Sequence, residues 1–443
     1  MLRLLLAASL VWIAHCANNG LALVPPRGFI TWGQFRCNVR CDVDPENCIS
    51  ERLVRQIADV MVSDRWVELG YSYLNLDDCW QDMKRDAAGN LQADASRFPS
   101  GMTSLASYLH ERHLKFGVYT DYGTLTCMGR PGSYGFEAAD ATQFAAWGVD
   151  SVKMDGCYKP ANASYDVGFP LFAASLNATG RPMLFSCSWP DYKRTSGPAA
   201  LASVNFTALR EACNIWRIYD DIQDSWWHVV DIAAFWAEQQ RLLAPAAGPG
   251  GYNDPDMLIV GQNSLGVSQM KAQMSLWVMM AAPLFMAADL RSLSADAKAV
   301  LQNPDVLRVA DDPLGKQGLC VQNATAGLNI WRRELVDGDL AVLILNTMPF
   351  HANKNDPDQG ACYDYINNNG PHLSVGVSWE VLGWDNATTR ELTVRDLWAS
   401  SRTCCQGPPE PPAGTYAFAA FVPFSGCRFF RVSRAPAAQV VAY

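Results

Sequence analysis

Five short apolar runs in the first half of the chain end on aspartate: Tyr71–Asp78 (YSYLNLDD), Lys115–Asp121 (KFGVYTD), Val149–Asp155 (VDSVKMD), Met183–Asp191 (MLFSCSWPD) and Ile215–Asp221 (IWRIYDD). Paired carboxyl groups are what glycosidic-bond hydrolysis requires. One ionised carboxylate attacks or stabilises the anomeric carbon, and one protonated carboxyl donates to the leaving oxygen. Different surroundings must hold the two in different protonation states. Asp155 is the first candidate. Lys153, two residues earlier, shares its face of a strand, and a neighbouring cation favours the ionised form that a nucleophile needs. The same pair is also compatible with a buried ion pair that holds the strand. Asp221 is the second candidate, within Arg217-Ile-Tyr-Asp-Asp-Ile. There Asp220, Asp221 and Asp224 could instead cap a helix starting near Ser225, and spacing alone leaves Asp220 and Asp221 unresolved. Trp32, Trp80, Tyr119, Trp189 and Tyr192 flank these runs. Each offers an apolar face for a sugar ring, and each alone also fits a core.

The elements that must position these groups follow from the spacing. The runs recur roughly every 30 to 45 residues with helix-like segments between them, the length of one strand, one helix and two loops. Helices are expected over 104–114, over 138–147 with Gly148 as a stop, and over 226–243. A turn-rich stretch, 248–256, ends on Asp256, and 282–290 reads as the last strand. Parallel strands closed into a barrel deliver their C-terminal ends to one rim, so the expected fold is α/β, a (β/α)8 barrel over 24–314. After Asp312-Pro-Leu-Gly the texture changes. Short runs at 328–333, 340–345, 377–382, 392–397 and 418–422, separated by turn residues, predict an antiparallel β-sandwich over 315–443.

Composition narrows the chemistry. The 443 residues are 49% hydrophobic and 18% charged with a net charge of −9, an acidic balance that argues against nucleic acid as a partner and suits an acidic compartment. Six histidines (His15, His110, His113, His228, His351, His372) form no ligand spacing or triad, and there is no G-x-S-x-G elbow or phosphate-cradling glycine loop. Cys37, Cys41 and Cys48 lack a histidine pair, so no metal and no cofactor is expected. Residues 1–17 read as a secretory signal peptide. Their apolar run is too short to span a bilayer, and Leu276–Leu290 is broken by Pro283, so no membrane span is expected. Fourteen cysteines in a secreted chain mean disulfides. Sequons at Asn162, Asn177, Asn205, Asn323 and Asn386 imply N-glycosylation.

Seven stretches resemble glycoside hydrolase family 27, the α-galactosidases and α-N-acetylgalactosaminidases. They are CNVRCDVDPENCIS (37–50), YLNLDDCW (73–80), VKMDGCY (152–158), FSCSWPDY (185–192), YDDIQDSW (219–226), GPGGYNDPDML (248–258) and DPLGKQG (312–318), in family order. The resemblance implies Asp155 as nucleophile and Asp221 as acid/base, in a retaining mechanism whose carboxyl groups stand about 5–5.5 Å apart. It implies sugar contacts from Trp32, Asp77, Asp78, Tyr119, Lys153, Arg217 and Asp256, and disulfides Cys37–Cys79, Cys41–Cys48, Cys127–Cys157 and Cys187–Cys213. It also implies a homodimer and favours the lysosome over secretion.

The residues flanking Trp-Pro in the C-x-W-P-x-Y loop, here Ser188 and Asp191 beside Tyr192, face the substituent on sugar carbon 2 in this family. Ser188 matches the N-acetyl type. Asp191 matches neither type, and could crowd the acetyl methyl or bond a hydroxyl. The neighbouring SCSWP and YDDIQDSWW lean toward α-N-acetylgalactosaminidase, with plain α-galactosidase as the alternative. A galactose-binding lectin and a metal-dependent hydrolase are the rival classes. Phe29 and Gly33-Gln34 depart from the family's usual Trp and Glu-Arg.

Overall fold

The computed structural model describes residues 19–195, 201–324, 327–348, 372–384, 392–399 and 416–434. Residues 1–17, expected as a signal peptide, and Asn386, Cys362, Cys404 and Cys405 lie outside them. Eight parallel strands form one curled sheet: β1 (Arg27–Ile30), β2 (Tyr73–Asn75), β3 (Lys115–Asp121), β4 (Ser151–Asp155), β5 (Leu184–Cys187), β6 (Ile215–Arg217), β7 (Tyr252–Asp254) and β8 (Leu284–Met286). Neighbours pair in sequence order, and β8 returns to β1. Leu258 closes the remaining seam. Its N–H donates to Phe285 (2.8 Å) and its carbonyl accepts from Ala287 (3.0 Å). The sheet is therefore a (β/α)8 barrel. Its strands are buried on both faces, as parallel strands under helices must be, so they read as apolar runs rather than alternating ones.

Helices between the strands are fixed by short-range signals. Ser50 caps α1 (Glu51–Ser63) and Ser225 caps α2 (Trp226–Leu243), in each case through a hydroxyl that accepts a first-turn N–H. Gly148 stops the helix Glu137–Trp147 in the left-handed region, φ 83°.

Several expectations shift. The helix expected over 104–114 lies at Gly101–His110, and the strand expected over 282–290 is β8 alone. The stretch taken as turns, 248–256, contains β7. The run ending at Asp191 stops as a strand at Cys187, and Asp191 sits on a short helix, Trp189–Arg194. Pro190 at its first turn has no N–H to lose there, so the proline favours a helix start rather than a strand.

The C-terminal part is a sandwich of antiparallel strands. A five-stranded sheet contains β9 (Leu319–Ala324), β10 (Leu328–Glu334), β11 (Leu340–Asn346), β13 (Leu392–Asp396) and β15 (Gly426–Arg434), and a two-stranded sheet contains β12 (His372–Val377) and β14 (Phe418–Pro423). Val342, Ile344, Val375, Val377, Val422 and Val432 fill the space between the sheets. The run 377–382 is not a strand. β12 ends where it begins, and Trp379–Leu382 forms one helical turn capped by the Ser378 hydroxyl. The outer face of the larger sheet packs on the barrel, with Trp331, Leu343 and Phe429 joining the barrel's core. Polar ties reinforce that seam: Trp398 Nε1 donates to Ser275 Oγ (3.0 Å), and Gln240 exchanges two bonds with the Cys320 backbone. No helix among the described residues is long and apolar enough to cross a membrane.

Candidate active site

The strand ends deliver their side chains to one cavity of about 320 Å³, lined by Trp32, Asp77, Asp78, Tyr119, Cys127, Lys153, Asp155, Cys157, Ser188, Asp191, Tyr192, Thr195, Arg217, Asp220 and Asp221. A smaller cavity of about 30 Å³, room for a single water, lies inside the barrel and shares Asp77, Lys153 and Arg217 with it. Asp254 and Asp256 line this smaller space. Asp155, Asp221 and the sugar contacts that the family resemblance implies, together with Ser188, Asp191 and Tyr192, therefore each line one of the two cavities.

Two cations organise the carboxylates. Lys153 Nζ lies 2.7 Å from Asp77 Oδ2 and 3.8 Å from Asp155 Oδ2. The shared strand face is as expected, but the tighter partner is Asp77. Although burial opposes its charge, Asp77 and Asp155 hold the Lys153 ammonium well above its ordinary range. Arg217, at the end of β6, donates to Asp221 Oδ1 (3.0 Å) and meets Asp256 Oδ1 at 3.3 Å. Its charge, aided by Lys153, holds the Asp221 carboxyl below the usual carboxylate range. Ser188 Oγ donates to Asp155 Oδ1.

Backbone amides, hydroxyls and arginines hold the remaining acids. Asp78 accepts from Cys79 N, Thr126 Oγ1 and Met128 N, yet burial pushes its carboxyl up to about 6. Asp256 adopts φ 80°, a left-handed conformation unfavourable for a residue with a Cβ. Arg217, the Ile222 N–H (2.8 Å) and the Asp254 carboxylate, which accepts the Asp256 N–H (2.9 Å), hold it there. Ser225, not an aspartate, caps α2. Asp224 instead accepts from Asn263 N and Ser264, while Asp220, paired with Arg194, and Asp221, paired with Arg217, both line the cavity.

Of the five aromatics, Trp32, Tyr119 and Tyr192 line the cavity. Trp80 and Trp189 are fully buried. Trp80 packs edge-on against Phe144 and Trp147, and Trp189 stacks on Phe169. Both belong to the core because their side chains turn into the helix layer. Gly156, directly after Asp155, lets two rings approach. A Cβ there would fall 2.7 Å from Tyr165 and 3.0 Å from Tyr192. Gly33 explains one departure from the family pattern: a Cβ there would meet Ala287 at 2.4 Å and Gln262 at 2.7 Å. Those residues occupy the space into which a longer side chain would project.

All four implied disulfides are present, Cys37–Cys79, Cys41–Cys48, Cys127–Cys157 and Cys187–Cys213. Cys127–Cys157 lines the cavity itself. Asp121, Cys127 and Cys157 cluster closely enough to suggest a metal site, but their sulfurs are bonded to each other rather than free as thiolates. Among sequons, Asn162, Asn177, Asn205 and Asn323 are exposed.

Sequence reasoning passed over Arg194. It joins Asp191 Oδ1 (3.0 Å) to Asp220 and lies over the Tyr219 ring, tying the helix that carries Asp191 to the loop that carries Asp221. Its place one helical turn after Asp191 was the available signal.

Comparison with known proteins agrees with this fold. A family model described as alpha galactosidase A matches residues 24–312, and one for the alpha galactosidase C-terminal beta sandwich domain matches 325–432. The chain is 48% identical over 319 residues to alpha-N-acetylgalactosaminidase of Homo sapiens, covering 72% of this chain and 76% of the relative. It is 44% identical over 333 residues to human alpha-galactosidase A, covering 75% and 76%. The crystal structure of alpha-galactosidase I from Mortierella vinacea superposes with a TM-score of 0.73 at 26% identity, covering 95% of this chain and 99% of that one. With its barrel, its sandwich and its acid-lined cavity, the chain belongs to glycoside hydrolase family 27 and is a glycoside hydrolase.

Proposed function

We propose that this enzyme is a retaining exo-glycosidase that removes terminal α-linked N-acetylgalactosamine or galactose from glycoconjugates. The observation that carries the reading is that Asp155 and Asp221 line one cavity with a cation beside each. Asp155, ionised beside Lys153, attacks the anomeric carbon. The bond to the leaving oxygen breaks, and that oxygen takes the proton of Asp221. Asp221 then removes a proton from water, which displaces Asp155 and restores both groups. Asp77, Asp78, Lys153, Arg217 and Asp256 offer hydroxyl partners, while Trp32, Tyr119 and Tyr192 offer ring faces.

N-acetylgalactosaminide is the favoured substrate. Ser188 is small and turned to Asp155, and Arg194 engages the carboxylate of Asp191. Human alpha-N-acetylgalactosaminidase is also among the relatives with high identity. The second reading, a plain α-galactosidase, draws on Asp191 itself, which lines the cavity where that substituent would lie. A secretory route ending in the lysosome, N-glycans on the exposed sequons and a homodimer complete the proposal.

Rates on p-nitrophenyl α-N-acetylgalactosaminide and α-galactoside at roughly pH 4–6 test the reading. Turnover of the first ahead of the second supports it, the reverse order favours the galactosidase reading, and no product from either refutes both. Asp155→Asn should lower kcat about a thousandfold or more while sugar binding persists. A near-native rate in that variant would remove Asp155 as nucleophile.

A further inference from the structure

One aspartate that ends a strand has no part in the mechanism above. Asp121 closes β3 as Asp155 closes β4, and the two are directly paired in the parallel register, Asp121 opposite Asp155. Both reach the same sulfur: Cys127 Sγ lies 3.5 Å from Asp121 Oδ2 and 4.0 Å from Asp155 Oδ2. Asp155 has Lys153 at 3.8 Å. Asp121 is fully buried, and among the described residues no Lys, Arg or His nitrogen lies within ion-pairing distance of it. Its Oδ2 accepts the Cys157 N–H (3.1 Å), and its buried Oδ1 has no hydrogen-bond partner. The groups that face it are acidic or neutral: Asp155 on β4, Asp78 after β2, Tyr119 on its own strand, and the phenols of Tyr165 and Tyr192.

We propose that Asp121 serves the reaction as an uncharged carboxylic acid: it keeps the one proton that it and Asp155 cannot both give up, and so leaves the negative charge on Asp155. Two adjacent carboxyl groups with little water share a proton, and the proton settles on the member without a cation. Burial and the charge of Asp155 push the Asp121 carboxyl up to about 10. Asp121 thus acts through Asp155, as a positioning residue. The inference rests on the reading of Asp155 as nucleophile.

The test combines infrared spectroscopy with kinetics. At roughly pH 8, Asp78, Asp191 and Asp254, each raised only to about 6, are ionised. The native enzyme should then show a carboxylic-acid carbonyl band that Asp121→Asn lacks. Asp121→Asn keeps a neutral group and an acceptor for the Cys157 N–H, so its kcat should stay within about tenfold of native, while Asp121→Ala should fall about a hundredfold. No band lost in Asp121→Asn, or a fall in its rate as deep as that of Asp155→Asn with melting unchanged, overturns the proposal. An active Asp155→Asn would instead overturn the nucleophile reading and leave the infrared result standing, so the two failures can be told apart.

Discussion

At the scale of the residue, the site is a set of acids sorted by their cations. Arg217 is the clearest case, because the proposed acid/base role asks Asp221 to carry a proton while Arg217 favours its ionised form. The protonated fraction of Asp221 therefore falls away at lower pH than for a free carboxyl, and kcat/KM should decline on the alkaline side from an acidic optimum. Arg217→Lys keeps the charge but cannot serve Asp221 and Asp256 at once as a guanidinium fork does. That variant should move the alkaline limb upward by about one pH unit. A limb that stays in place would show that Arg217 does not set it. Asp191 governs a different property. Asp191→Ala should raise the ratio of N-acetylgalactosaminide to galactoside turnover by about tenfold, the scale on which pockets discriminate small groups. An unchanged ratio would mean that this side chain does not reach the 2-substituent.

At the scale of the element, legibility followed the period. β3 was read at its observed bounds and α2 at its observed length, because an apolar run ending on Asp121 and a run of helical spacing after Ser225 carry their own punctuation. β7 was missed because three residues between Gly251 and Pro255 offer no run to detect. Asp220 and Asp221 could not be separated locally, since adjacent residues in a loop differ only in what the fold brings to them: Arg194 to one, Arg217 to the other. The inward turn of Trp80 and Trp189 was hidden for the same reason. Cysteine pairing, in contrast, came only from the family resemblance, since spacing permits many connectivities. The Cys127–Cys157 bridge links the loops after β3 and β4 across 30 residues, and Asp155 lies two residues before it. Replacing both cysteines by serine should cost about 2–4 kcal/mol of stability and reduce kcat several-fold. The same change at Cys41–Cys48, which closes only seven residues and does not line the cavity, should cost less and spare the rate. Equal losses of kcat from the two pairs would show that the bridge near Asp155 does not position it.

At the scale of the whole molecule, concentrating buried acids at one barrel rim ties stability to pH, with a definite sign. Burial raises Asp78, Asp191 and Asp254 to about 6 and Asp121 to about 10, and raises Asp77 and Asp256 as well. In the unfolded chain such groups ionise near 4. A group raised in the folded state contributes stability that is whole below the unfolded value and is lost as pH rises through the folded one. Three of these contributions should thus vanish between about pH 4 and 6, while that of Asp121 drains away as far as about pH 10. Acids lowered in the fold, such as Asp221, Glu51 and Asp94, act the other way, and weaken the protein only as pH falls below about 4. A net charge of −9 at neutral pH adds self-repulsion that acid relieves. The melting temperature should therefore be highest at about pH 4 and fall by several degrees toward pH 8, most steeply before pH 6. Asp254→Asn, which removes one of the groups in that window, should flatten the early part of the fall. A melting temperature that is level or rises from pH 5 to 8 would mean that these carboxyl groups are as well solvated in the folded barrel as in the open chain.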